Sequence, residues 1–304
     1  MNSELPPTPT GNVAGTFQRG WNQLRSNKTV FFALAGFLGG FVGDLVTEPF
    51  AARDGAAKGF SGVLARTGFW VAGMVAVLSP ALAFAGAHYN RRQPSLGGTI
   101  KMTIWGALGG GLSGALIQAF YSAGFVLGLE PKSAIAELFR CLTWGLMGGT
   151  VGGLLGRTVP NLARWRAVCA GLVGGAIGCG GFLMVSAVLS DMPGRLLGVG
   201  VMGLSIGLSI VVAEKLAREA SLEIIWAPNE VTFANLGERP VFIGGGREDD
   251  VFVRGYPPRH AGITLKQGRI EYVEAASGRQ ATLRNASRLE IGKLTLVVHT
   301  DTKN

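Results

Sequence analysis

The chain holds 304 residues, 48% of them hydrophobic and 15% charged, with 48 glycines, a mean hydropathy of +0.33 and a net charge of +9. So few charges among so many apolar residues exclude a disordered chain and indicate a membrane protein. The basic excess lies before Ala220, where 17 Lys/Arg meet 9 Asp/Glu, against 11 and 10 from there onward. It therefore belongs to the apolar part, and nucleic acid is excluded as a partner.

Residues 1–15 are polar and proline-rich without apolar periodicity, and read as disordered. Residues 17–28 read equally as an amphipathic surface helix or as an untethered juxtamembrane tail. Residues 1–28 thus make an N-terminal tail. The N-terminus has acid, proline and threonine before any basic residue, and the first apolar block starts only near Val30, so it reads as a retained helix rather than a cleaved signal peptide.

Six apolar blocks follow, at about 30–50, 67–88, 102–127, 135–155, 167–189 and 196–213. Each suffices to cross a ~30 Å hydrocarbon core, and they define a transmembrane domain over residues 29–214. One set of loops and flanks carries Arg19, Arg25, Lys28, Arg91, Arg92, Lys101, Arg157, Arg164, Arg166, Lys215 and Arg218. The other carries Arg53, Lys58, Arg66, Lys132, Arg140 and Arg195. That bias assigns both termini to the cytoplasmic side of an inner membrane.

Glycine-zipper steps four residues apart recur in the blocks, as at Gly36/Gly40, Gly106/Gly110/Gly114, Gly149/Gly153, Gly171/Gly175 and Gly203/Gly207. They let backbones approach closely in lipid and leave homo-oligomerisation open. Similar segments around Gly39, Gly109 and Gly174 suggest three related helical hairpins. Among the ionisable residues of the blocks, Asp44, Glu48, Glu137 and Arg140 lie towards helix ends, and Asp44 is the one placed inside. It reads either as an interhelical Asp–Arg pair or as the mark of a solute path. Pro80 is expected to kink the second span. Cys141, Cys169 and Cys179 sit in or beside apolar blocks without Cys-x-x-Cys spacing, so neither a disulfide framework nor a metal or cofactor site is expected.

Residues 214–221 read as the sixth helix continuing into water. The period then turns to two, with strands expected at 222–226, 231–234, 241–243, 251–253, 261–265, 270–274, 280–283, 288–291 and 294–299. Short strands between Gly, Asn and Pro turns argue for an all-β sandwich over residues 220–304, close to the membrane face with its loops outward. The triple glycine at 244–246 lacks the Lys-Ser/Thr of a phosphate-binding P-loop and reads as a tight turn tolerating positive φ. His88 and His299 have no acid or nucleophile near them in sequence, and no enzymatic constellation is recognised.

Gly246-Arg247, Asp250-Val251, Arg259-His260-Ala261 and Thr282-Leu283-Arg284-Asn285 resemble the forkhead-associated (FHA) domain, a β-sandwich that holds phosphothreonine peptides in the loops at one end. The whole chain resembles bacterial polytopic membrane proteins whose glycine-rich bundle runs directly into such a domain, the seam here being Glu214, Arg218, Glu219 and Ala220. The resemblance implies phosphate contact by Arg247, peptide contact by Asn285 and a turn role for Thr282, with Gly246 and His260 supporting the loop. Arg259 joins the same basic loop end. Two positions depart from the pattern. Pro257 replaces the phosphate-binding serine, removing both hydroxyl and amide donors. Arg279 replaces the peptide-gripping asparagine in a loop one residue longer, where its guanidinium is a substitute phosphate donor. The expected function is a membrane-anchored adaptor or signalling module that binds a cytoplasmic protein, either Thr-phosphorylated or unmodified. The alternative is a small-solute or ion channel or transporter regulated by that module.

Overall fold

Six helices precede nine strands among the residues that this computed structural model describes: 27–48, 59–92, 94–130, 133–189, 191–227, 230–292 and 294–300. The expected disorder of residues 1–15, most of segment 17–28, and the loop cations Arg53, Lys58 and Lys132 lie outside them. The helices are α1 (Lys28–Thr47), α2 (Gly59–Tyr89), α3 (Leu96–Val126), α4 (Ala134–Leu155), α5 (Arg164–Val188) and α6 (Asp191–Leu216). All six are long and apolar enough to span a bilayer.

Helices α2 and α3 each run for 31 residues, about 46 Å at 1.5 Å per residue, well beyond a ~30 Å core. The apolar blocks end with these helices but start six to eight residues late, because a helix start is set by capping as well as by hydropathy. Ser95 accepts from Gly98 N ahead of α3, and Asn27 and Ser133 cap α1 and α4 in the same way.

The helices close a ring in which each packs on its chain neighbours and α6 returns to α1. Glycines set the closest crossings: a Cβ on Gly36 would meet the carbonyl of Gly203, and one on Gly148 that of Gly171. The three similar glycine segments fall on α1, α3 and α5. Yet α3 and α4 share the slightest contact in the ring, so the expected repeat is not expressed as three equal hairpins. Phe32, Met74, Leu78, Leu82, Met147, Met202 and Ile206 are fully buried and form one core inside the ring. Asp44 is fully buried, but its Oδ1 accepts from Trp70 Nε1 at 2.8 Å. Arg195 pairs with Glu48 instead, which corrects the expected Asp44–Arg pair.

Helix α6 stops at Leu216 and β1 starts at Ala220, so the expected helical run to Ser221 is too long. Asn235 explains the early stop: its Nδ2 donates to the Glu214 carbonyl and its Oδ1 accepts from Arg218 Nε, both at 3.0 Å. These bonds satisfy a helix-end carbonyl and turn the chain into the sheet.

The strands β1 (Ala220–Ala227), β2 (Glu230–Leu236), β3 (Val241–Gly244), β4 (Val251–Phe252), β5 (Ala261–Lys266), β6 (Arg269–Glu274), β7 (Gln280–Leu283), β8 (Arg288–Ile291) and β9 (Leu294–Thr300) match the expected ranges closely. They form two sheets, β2-β1-β9-β8 and β4-β3-β5-β6-β7, antiparallel except for β3 with β4. Leu222, Ile224, Leu296 and Val298 of one sheet share a core with Val241, Ile243, Val251 and Ile263 of the other.

This β-domain is fastened to the bundle. Tyr89 Oη accepts from Phe233 N at 3.3 Å. Asn161 donates through Nδ2 to the carbonyls of Asn235 (2.9 Å) and Arg239 (3.1 Å), and its Oδ1 accepts from Arg239 N. Arg91 pairs with Glu230 and lies 4.5 Å from the Trp226 ring. Both Arg91 and Asn161 hold positive φ, at 53° and 55°. Of the basic residues assigned to one side, Arg91, Arg92 and Arg218 reach this domain directly, through Glu230, Asp250 and Asn235.

Candidate functional site

Strand register gathers three loops at one end of the second sheet. Ile243 pairs with Ala261, and Ala261 pairs with Glu274, so loops 245–250, 253–260 and 275–279 all leave from that edge. The first two are stapled by one carboxylate. Asp249 Oδ2 accepts from Gly246 N at 2.7 Å and from Arg259 N at 3.1 Å, and its side chain is buried. Arg259 itself holds φ 52°, a left-handed conformation that costs a non-glycine residue about 1–2 kcal/mol. The bond from its amide to Asp249 offsets that strain.

The triple glycine is not there for positive φ. None of Gly244, Gly245 and Gly246 has positive φ. A Cβ on Gly244 would lie 2.6 Å from both Asp249 Oδ2 and the Pro257 carbonyl, and one on Gly245 would strike the Tyr256 carbonyl. The glycines are there because the second loop closes directly over the first. Asp249→Ala should therefore free both loops. We expect a loss of about 3 kcal/mol of β-domain stability, since a charged acceptor bond is worth ~1.5–3 kcal/mol. The check is hydrogen exchange of the full chain, in which the amides of Gly246 and Arg259 should lose more protection than those of β1 and β9.

His260 links the second loop to the third: its ring lies 4.8 Å from that of Tyr256, its Nε2 is 3.6 Å from Glu274 Oε1, and its carbonyl accepts from Ala275 N at 2.9 Å. Arg279 is exposed on the third loop, with its amide donated to Ser277 Oγ. Thr282 pairs with Glu271 further along β7. Asn285 lies past the far end of that strand, where its Oδ1 accepts from Thr300 N at 3.1 Å. The structure thus brings Gly246, Arg247, Arg259, His260 and Arg279 to one end and sends Asn285 to the other, where it ties down β9.

The first loop does not face outward as expected. Arg92, just beyond α2, donates Nε to the Asp249 carbonyl at 2.9 Å and Nη2 to the Glu248 carbonyl at 3.2 Å, and lies 3.4 Å from Asp250 Oδ1. The first loop is thereby turned to the bundle, and a cleft of 410 Å³ opens between them. Arg239, Arg247 and Arg259 line its β-domain side, and Arg92 and Arg157 its helical side. Deeper in, Leu82, Phe84, Met102 and Leu155 make an apolar wall. Arg259 lies over the Phe242 ring at 5.0 Å.

No family model, curated protein or solved structure matches this chain. What the site does rests on its own geometry. A cleft lined by several guanidinium groups and, among the described residues, one carboxylate, Glu248, suits an anion. Sequence reading used Arg92 and Arg157 only to orient the spans. The signal available was their position, each immediately after an apolar block on the same side. Among the described residues no group of three His, Cys, Asp or Glu could hold a metal. His299 Nε2 meets Glu223 Oε2 at 2.5 Å across β9 and β1, and His88 stacks on Phe31 and Phe84.

Proposed function

We propose that the protein is a membrane-anchored recognition module, in which an FHA-like β-domain held on the cytoplasmic face of the inner membrane recruits a partner protein. The supporting observation is the convergence of three tied loops at one end of the sheet, with the third, 275–279, left exposed beside the bundle. Recognition is independent of phosphate. Pro257 supplies no donor, Arg247 lines the cleft shared with the bundle rather than the exposed third loop, and Asn285 is engaged at the far end. Arg279 and its loop offer the outward contact surface. Rigid fastening through Arg92, Asn161 and Tyr89 keeps that surface at a fixed height above the lipid.

The test is retention of immobilised phosphothreonine and matching unphosphorylated peptide libraries by the full chain in nanodiscs. Equal retention of the two, reduced at least fivefold for both by Arg279→Glu, is the expected outcome. A fivefold loss corresponds to about 1 kcal/mol, the scale of one exposed charged contact. Retention of the phosphorylated library alone, abolished by Arg247→Ala, would sink the phosphate-independent reading. Retention of neither would remove the recognition role.

A further inference from the structure

The seam cleft has two chemically distinct halves. From Asn90 to Pro80 its lining follows α2 for about 15 Å at 1.5 Å per residue, and this stretch is met by Met102 and Leu155. That half is apolar, and Phe84 stands half-exposed in it. The mouth is basic. Among the described residues, Arg157, Arg247 and Arg259 have no carboxylate partner, while Arg92 and Arg239 already share Asp250. Asn90 lines the cleft, is 6% exposed, and its Oδ1 is buried without a hydrogen bond among the described residues. Ser95, Gly98 and Thr99 of the α3 N-terminus complete the rim, where the helix dipole favours an anion.

We propose that this cleft binds an anionic phospholipid, with its phosphate on Arg157, Arg247 and Arg259 and its acyl chains along α2 and α3. A soluble phosphate would use the mouth and leave the apolar wall empty; a phospholipid satisfies both halves. A headgroup hydroxyl would donate to Asn90 Oδ1. Basic pockets between helices on the cytoplasmic side are the usual setting for such headgroups. The lipid would then bridge bundle and β-domain, so that membrane composition adjusts how firmly the recognition loops are held. This inference concerns Arg157 and Arg247, whereas the partner surface is tested at Arg279, so either can fail without the other.

The experiment is native mass spectrometry of the detergent-solubilised full chain with phosphatidylglycerol, phosphatidylcholine, glycerol 1-phosphate and a phosphothreonine peptide as separate probes. Phosphatidylglycerol should be retained in preference to phosphatidylcholine. Each Arg→Gln change at Arg157 or Arg247 should weaken that retention about fivefold, and the pair about thirtyfold. Both side chains are exposed and unpaired, so folding should survive their replacement. The pair Arg157→Lys and Arg247→Lys should keep most of the preference. Equal binding of the two lipids, full retention by the glutamine pair, or loss as complete with lysine as with glutamine would overturn the proposal. Glycerol 1-phosphate binding as tightly as phosphatidylglycerol would assign the mouth to free phosphate, and displacement of the lipid by the peptide would assign it to protein; either result also overturns it.

Discussion

Gly171→Ala is expected to destabilise the bundle by about 3 kcal/mol, whereas Gly180→Ala, on the same helix, should be neutral or stabilising. The contrast isolates one cause. A Cβ on Gly171 would run into the Gly148 carbonyl, with Gly148 C at 2.7 Å and Gly149 N at 3.1 Å. The obstacle is backbone, so no rotamer change relieves it, and α4 and α5 must part. Overpacking of a close-packed interior costs about 1–3 kcal/mol, and a backbone crossing belongs at the top of that range. In lipid the pair has no hydrophobic drive to offset the lost dispersion contacts. A Cβ on Gly180 meets nothing within 4 Å, so only the helix-propensity gain of about 0.5–1 kcal/mol remains. The measurement is unfolding of the purified chain in mixed micelles with increasing SDS. Equal midpoints for the two variants would show that the crossing does not hold the bundle.

Gly148 and Gly171 also show what a sequence conveys and what it withholds. Four-residue glycine spacing announces close helix crossings, but not which helix meets which. Here Gly36 on α1 lies against Gly203 on α6, a ring closure with no trace in the order of the blocks. Strands were legible for a different reason. Alternation with a period of two is set by each segment's own half-buried face, so ranges such as 280–283 and 288–291 were readable without knowing the neighbours. The starts of α2 and α3 were not, and at α3 the reason is that Ser95 acts through a cap outside any apolar block. Arg247, Arg259 and His260 could be picked out as a loop cluster. Their orientation could not, since it depends on Arg92, 157 residues earlier than the Asp249 carbonyl it grips. Asn285 was misplaced because a short motif fixes residue spacing but not the side of the sheet on which a strand ends.

Arg92→Ala should loosen the β-domain from the bundle, at a cost of about 3 kcal/mol. Its guanidinium serves two carbonyls of the first loop and stands 3.4 Å from Asp250, whose side chain is 1% exposed. Removing one partner of a buried ion pair costs ~3–5 kcal/mol because the other charge stays buried and uncompensated. The lower end applies here, since Arg239 remains 3.6 Å from the same carboxylate oxygen and Phe242 N still donates to the other. Arg91→Ala is the counterpart. Arg91 pairs with Glu230 where both side chains are more than a third exposed, an interaction worth ~0–1 kcal/mol even with the Trp226 ring beneath it. Limited proteolysis of the full chain should cut the 245–250 loop in the Arg92 variant and spare it in the Arg91 variant. Adding Asp250→Asn to Arg92→Ala should restore part of the lost stability, because it removes the stranded charge rather than any contact with the bundle. If the double variant were no more stable than Arg92→Ala alone, Asp250 would not be what Arg92 neutralises. The carbonyl bonds to Glu248 and Asp249 would then carry all of Arg92's share of the seam.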